Sequence, residues 1–254
     1  MFESFSQTTF GHQFMPGQKL LLNRYEQLEM IGSGSYGSVY KARDVSTGEI
    51  VAIKKFYADF ESLSEVEELK ELQVLQRFKH PNIIDMRMVD IEHNKLLIVF
   101  EHLDLNLTEF IRERAALNQN PFAKNSKSPH RHNELDLISE QEILIIIKQI
   151  LLGLDYIHEK GYIHRDLKPE NFMINPNTLE LKIIDFGTVK DIANSNPPFT
   201  TYICTRWYRA PECVLRAENY GTASDIFAVG CIMAELFNLR PLFPGSNELD
   251  QVDQ

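Results

Sequence analysis

The stretch His164-Arg165-Asp166-Leu167-Lys168-Pro169-Glu170-Asn171, followed further on by Asp185-Phe186-Gly187, places a carboxylate, an ammonium and two oxygen ligands for a hard cation in one short region. That set of residue types suits phosphoryl transfer. Its transition state spreads negative charge over nonbridging oxygens, so the reaction asks for cations, in-line positioning and an acceptor for a proton. Upstream, Ile31-Gly32-Ser33-Gly34-Ser35-Tyr36-Gly37-Ser38-Val39 carries glycines spaced G-x-G-x-x-G. Without a Cβ, such residues let backbone amides approach phosphate oxygens. Alone, the turn has two further readings: a glycine turn without function, and a dinucleotide-binding loop. The dinucleotide loop must open into a helix, whereas Ser38-Val39-Tyr40 continues as β-prone sequence.

The elements that position these residues follow from periodicity. From Tyr25 the pattern predicts an antiparallel meander: a strand to Ile31, the glycine turn, the strand through Ser38-Val39-Tyr40, a Ser46-Thr47-Gly48 turn, and a strand over Ile50 to Phe56. Leu63, Val66, Leu69, Leu72 and Leu75 predict one helix over 61–78, ended by His80-Pro81-Asn82. Apolar segments near Ile83 to Ile91 and Leu96 to Phe100 complete a small sheet. Beyond Glu101 to Leu103 the chain becomes mainly helical. Ser139 and Glu142 form a capping box ahead of an apolar stripe of Ile143, Ile146, Ile147, Ile150, Leu151 and Leu154, which predicts a buried helix. The last strong helix runs from Ala223 to Phe237. Residues 1–24 read as a flexible N-terminal extension and 118–133 as a polar, mobile insertion.

Composition bounds the setting. With 254 residues, 43% of them hydrophobic, the chain can bury the core of one large domain or of two lobes. A net charge of -10 offers no broad attraction for nucleic acid or anionic lipid, so neither is expected as a partner. The start lacks a basic region followed by an apolar core, and the aliphatic run Ile143 to Ile147 is too short to cross a bilayer. An intracellular, cytoplasmic protein is expected, with Cys204, Cys213 and Cys231 as reduced thiols.

Val51-Ala52-Ile53-Lys54, the His164 to Asn171 string, Asp185-Phe186-Gly187 and Ala210-Pro211-Glu212, in that order, resemble the signature set of eukaryotic-type protein kinases. The resemblance covers about Tyr25 to Gln254. It implies an α+β, two-lobed fold: a small antiparallel β N-lobe with one main helix over 25–100, and a partial, mainly helical C-lobe over 101–254 that lacks its last helices. It implies ATP and Mg2+ as well. Asp166 would orient and deprotonate the acceptor hydroxyl, Lys168 would neutralise the γ-phosphate, and Asn171 with Asp185 would bind the metal. The glycine-rich turn from Ile31 to Val39 would cover the phosphates. Lys54 would reach them, held by Glu71, with Glu67 and Glu68 one turn away as rivals. Phe100 resembles a bulky gatekeeper, with backbone groups of Glu101 and Leu103 on the adenine edge and Val39, Ala52 and Met173 sandwiching the ring.

The resemblance narrows at Thr200-Thr201-Tyr202 and Arg206-Trp207-Tyr208-Arg209, which look like the mitogen-activated kinases and their RCK (MAK- and MOK-like) relatives within the CMGC group. It implies a protein serine or threonine acceptor, a preference for a following proline through Arg209, and an upstream kinase acting on Thr200 and Tyr202. Arg206 and Arg209 would receive phosphotyrosine, and Arg165, Lys190 and Lys70 would surround phosphothreonine, two of the three being lysine where the family has arginine. Unmodified loop residues are the alternative for Thr200 and Tyr202. The RCK resemblance also suggests a cilium, flagellum or nuclear location. Two departures stand out. Asp225-Ile226-Phe227-Ala228-Val229-Gly230 keeps the aspartate of the family's D-x-W-S-x-G but not its tryptophan and serine. The absence of further helices predicts exposure of Ile226, Val229, Ile232 and Leu236 and a rival reading, a truncated, weak or inactive nucleotide-binding scaffold.

Overall fold

Strands β2 (Tyr25–Ser33) and β3 (Gly37–Asp44) meet at the glycine turn as a hairpin. Around them, a computed structural model describes residues 20–34, 36–119, 138–192, 206–215, 217 and 220–254. Ser35, Thr200, Tyr202, Cys204, the extension up to residue 19 and all but the first two residues of the expected insertion lie outside the described residues. The chain forms two units, one drawing on the chain up to Glu68 and on Asp85–His102, the other on Leu69–Ile84 and Leu103–Gln254.

The first unit is a six-stranded antiparallel sheet. With β1 (Leu20–Leu21), β4 (Ile50–Asp59), β5 (Met86–Glu92) and β6 (Lys95–Glu101), its order is β1-β2-β3-β4-β6-β5. Strand side chains alternate between faces. Val51, Ile53, Leu97 and Val99 therefore fall on one side, where they join Leu21, Tyr25 and Ala42 in a buried core. Lys54, its cross-strand partner Val39, and Ala52 two residues away fall on the other. The supposed extension reaches into this sheet. Leu22 and Asn23, both at φ 53°, turn the chain from β1 into β2, and Arg24 donates to Asp44 Oδ2 at 2.6 and 2.9 Å.

The helix expected over 61–78 is in fact two, α1 (Leu63–Glu67) in the first unit and α2 (Lys70–Arg77) in the second. Leu69 between them is extended (φ −68°, ψ 117°). Three-residue steps fall about 60° short of a full turn each time, so Leu63 and Leu75 could not share one face of a continuous helix.

The second unit adds α3 (Leu107–Gln119), α4 (Glu140–Glu159), α5 (Pro211–Val214), α6 (Ala223–Asn238) and α7 (Glu248–Asp253). Short strands β7 (Leu105–Asn106), β9 (Phe172–Ile174) and β10 (Leu181–Ile183) form a sheet in the order β10-β9-β7, and β8 (Tyr162–Ile163) pairs with β11 (Lys190–Asp191). The capping box is present: Glu142 N donates to Ser139 Oγ at 3.2 Å, and Ser139 N to Glu142 Oε2 at 2.8 Å. Five of the six predicted α4 positions are buried. Leu151 is instead 40% exposed, because it lies about 100° around the helix from Ile150. On α6 the expected exposure is confined to Ile226, at 49%, while Val229, Ile232 and Leu236 are buried. Among the described residues Cys213 and Cys231 are free thiols, and no helix is long and apolar enough to cross a membrane.

Candidate active site

In the first unit the glycine hairpin is drawn closed by the pairs Gly32↔Val39 and Ser33↔Ser38 and by donation from Gly34 N to Gly37 O at 2.9 Å. Its glycines are not equivalent. A Cβ at Gly37 would lie 2.3 Å from Lys55 O, so close pairing with β4 demands glycine there, whereas a Cβ at Gly34 would meet nothing within 4 Å. Gly34 thus has room for a ligand's approach. Tyr57 fastens the neck: its hydroxyl lies 2.9 Å from Ser33 Oγ and 2.8 Å from Ser38 Oγ, and its amide donates to Tyr36 O. Ile31 and Tyr36 are exposed. Half-buried Lys54 lies 4.8 Å from the centroid of the Phe56 ring. Glu101 pairs with Val51, and its amide donates to Asp85 O at 3.3 Å.

In the second unit Asp166, Lys168 and Asn171 form one constellation. Lys168 Nζ donates to Asp166 Oδ2 at 2.8 Å, while Asn171 Nδ2 donates to Asp166 O at 2.7 Å and to Oδ2 at 3.2 Å. A single 3-10 turn over Pro169–Asn171 creates this closeness, with Asn171 N donating to Lys168 O. Asn171 O then accepts from Ile184 N at 2.9 Å, which brings Asp185 alongside. Asp185 adopts a left-handed backbone, φ 63°, and accepts from Gly187 N at 3.2 Å. Glu71 on α2, in the same unit, lies near this segment: a Cβ on Gly187 would stand 3.9 Å from its Oε2. Glu67 belongs to α1 in the first unit, as does Glu68 at that helix's end. Met173 sits on β9 opposite Lys182, and Leu103 is buried at the start of the second unit's main segment.

Asn171 and Asp185 fit Mg2+. With Asn171 Nδ2 committed to Asp166, its Oδ1 is the atom for a cation, and a carboxylate beside it completes the pair of oxygen donors that Mg2+ takes when phosphates and water supply the rest.

The residues from 25 to 254 match the family model described as protein kinase domain. The chain belongs to the protein kinase family. It is 45% identical to a Dictyostelium discoideum protein named "Probable serine/threonine-protein kinase", over 91% of this chain and 41% of that one. It is 42% identical to cyclin-dependent kinase F-3 of Oryza sativa subsp. japonica, over 91% and 48%, and 42% identical to serine/threonine-protein kinase ICK of Mus musculus, over 91% and 33%. These relatives are of the CMGC type. The chain spans less than half the length of each.

The kinase fold explains residues whose part sequence reasoning missed. Asp225, noted from the sequence only as the aspartate kept from D-x-W-S-x-G, is the anchor of the Asp166 segment: its carboxylate accepts from His164 N and Arg165 N, each at 2.9 Å, and stands 2.8 Å from His158 Nε2. A buried carboxylate must find donors, and the two backbone N–H groups supply them. Thr188 accepts from Arg165 Nε through its carbonyl at 2.7 Å and donates its hydroxyl to His164 O at 2.8 Å. The His164 ring is wholly buried. Burial pushes its pKa down, against the pull of Asp225, Asp185 and Asp166. Arg165, Lys190 and Lys70 all belong to the second unit, and Lys190 is shifted down by desolvation and then by the charges of Arg165 and Lys70. Arg206 stands 3.9 Å from the Glu248 carboxylate, and Arg209 donates its amide to Arg206 O.

Proposed function

We propose that this kinase transfers the γ-phosphate of ATP to serine or threonine hydroxyls of protein substrates. The observation that carries the reading is the bonded set Asp166, Lys168 and Asn171. Asp166, oriented by both neighbours, accepts the proton of the attacking hydroxyl, and Lys168 Nζ offsets charge on the transferred group. Asn171 and Asp185 would hold Mg2+, which would supply charge neutralisation at the phosphate oxygens. Within the first unit, the hairpin amides and Lys54 suit phosphates, and Val39, Ala52 and the Glu101 backbone suit an adenine; the resemblance adds Glu71, Leu103 and Met173 as further nucleotide-binding residues. Magnesium-dependent transfer of labelled phosphate to a basic protein tests this. Asp166→Asn should lower the rate by about a hundredfold or more; equal rates in both proteins would refute it.

Regulation through Thr200 and Tyr202 by an upstream kinase is part of the proposal. Its support is that the charges of Arg165 and Lys70 are felt at Lys190, three cations of one unit whose charge suits a phosphate. Upstream phosphorylation should activate the protein but not the Thr200→Ala, Tyr202→Phe double variant. A following proline is the proposed preference at the acceptor, through Arg209. Peptides differing only in that residue decide it.

A further inference from the structure

Phe78, the residue that ends α2, lies outside the motifs and is buried at the centre of a ring cluster. Its ring stands edge-to-face with Tyr156 at 5.8 Å, Tyr162 at 5.3 Å and Phe186 at 5.7 Å between centroids. Phe186 has His164 on another side, at 5.7 Å. We infer that Phe78 is a positioning residue that seats Phe186 and thereby fixes the metal-binding orientation of Asp185. The inference deepens the kinase reading above and rests on it for the role of Asp185.

Asp185 holds a left-handed backbone at φ 63° that a non-glycine residue adopts at some cost, so neighbours must hold it there. The adjacent Phe186 is the large side chain of that turn and is almost wholly buried, so the site of its ring dictates the backbone before it. Phe78 is itself held from behind. Tyr156 Oη accepts from Lys79 N at 3.1 Å, Tyr162 Oη accepts from Arg77 at 3.2 Å, and His80 stacks on Tyr156 at 5.2 Å. The chain after it is sewn to β10, with Ile84 N donating to Ile183 O and Ile183 N to Asn82 O. The same α2 carries Glu71. One aromatic joint therefore ties the Glu71 helix and the Asp185 turn together.

Hydrogen exchange of the full chain, read by mass spectrometry at the Gly187 amide that bonds Asp185, tests this without nucleotide. Phe78→Leu should speed exchange there by about threefold to tenfold, as loss of edge-to-face contacts predicts. Tyr156→Phe, which removes only the hydroxyl that holds Lys79, should act in the same direction but less, and serves if Phe78→Leu does not fold. Phe110→Leu, an equally buried ring on α3, controls for general loosening. Exchange at Gly187 no faster in the two variants than in Phe110→Leu would overturn the inference. In the transfer assay Phe78→Leu should also need about threefold more Mg2+ for half-maximal rate, with the Phe110→Leu requirement unchanged. A wild-type chain without transfer would sink the kinase reading alone, since the exchange result stands apart from it.

Discussion

The segment around Asp166 and the glycine hairpin serve one reaction in the proposed reading, yet they are held in opposite ways. The first hangs from Asp225, 1% exposed, through two backbone amides, and is braced by Thr188. The hairpin stands in solvent, Tyr36 being 69% exposed, and is fastened by strand pairing and one tyrosine hydroxyl. A group that moves a proton must be fixed within a fraction of an ångström, whereas a flap over a nucleotide must also let it go. The largest test of this contrast is Asp225→Asn. It replaces one of the two accepting oxygens by an NH2 group, so that one backbone N–H faces a donor, and should cost about 2 to 3 kcal/mol in urea unfolding. Phosphate transfer should fall by about a hundredfold from the displaced Asp166. Wild-type transfer in this variant would break the comparison.

Within the hairpin, two glycines separate scaffold from flap. Gly37→Ala forces a methyl against Lys55 O, which cannot retreat without disturbing the pairing of β3 with β4, and should cost about 1 to 3 kcal/mol. Gly34→Ala meets open space. It should leave stability within about 0.5 kcal/mol of wild type while raising the KM for ATP several-fold. Equal losses of stability from the two substitutions, measured by thermal unfolding, would erase the distinction.

The two units also differ in how they hold a buried carboxylate. Burial alone would raise Asp44, but hydrogen bonds from Arg24 and Ser46 overcome it and hold the group at about 2. The native state therefore binds the proton less readily than the unfolded chain. The stability it contributes is present above the ordinary value of 3.8 and is lost as pH falls through about 2. Glu235 is shifted the other way, upward, first by burial and further by Glu170, with the Tyr208 hydroxyl at 2.7 Å opposing. Its contribution is present below the ordinary 4.5 and is lost as pH rises above it. Asp44→Asn should thus flatten the acid limb of the stability curve, and Glu235→Gln the decline above that pH, by about 1 kcal/mol each given the half-exposed Arg24 and the retained Tyr208 bond. Urea unfolding across the acid and neutral range reads both.

The sequence showed the reacting groups more plainly than their supports. Asp166, Lys168 and Asn171 lie within six residues of one another, so a short string contains them and the 3-10 turn closes them up. His158 and Asp225 are separated by 67 positions, and Ser33 and Tyr57 by 24. Periodicity cannot report such pairs, because they are made by tertiary packing. The same limit explains the broken helix. Leucines every third residue look helical in any short window, and the extended Leu69 becomes apparent only once α2 is docked on the second unit. Leu20 and Leu21 were hidden for a different reason: a two-residue strand is too short to show alternation, and its turn uses positive φ at a leucine.

The smallest predicted effect belongs to Tyr57→Phe. The ring and the amide bond to Tyr36 remain, and only the hydroxyl between Ser33 and Ser38 is lost. The bond to Ser33 is solvent-exposed and the one to Ser38 part-buried, so the net cost to stability should stay near about 1 kcal/mol. Its influence falls on the hairpin, where Ser33 and Ser38 face one another across the strand pair next to Gly34 and Gly37. A looser neck holds the phosphate-facing amides less often in the binding geometry, so the KM for ATP should rise about twofold to fivefold with kcat little changed, since Asp166 and Lys168 are untouched. A fall in kcat at constant KM would place Tyr57 with the fixed machinery rather than the flap, and the contrast between the two regions would then have to be redrawn.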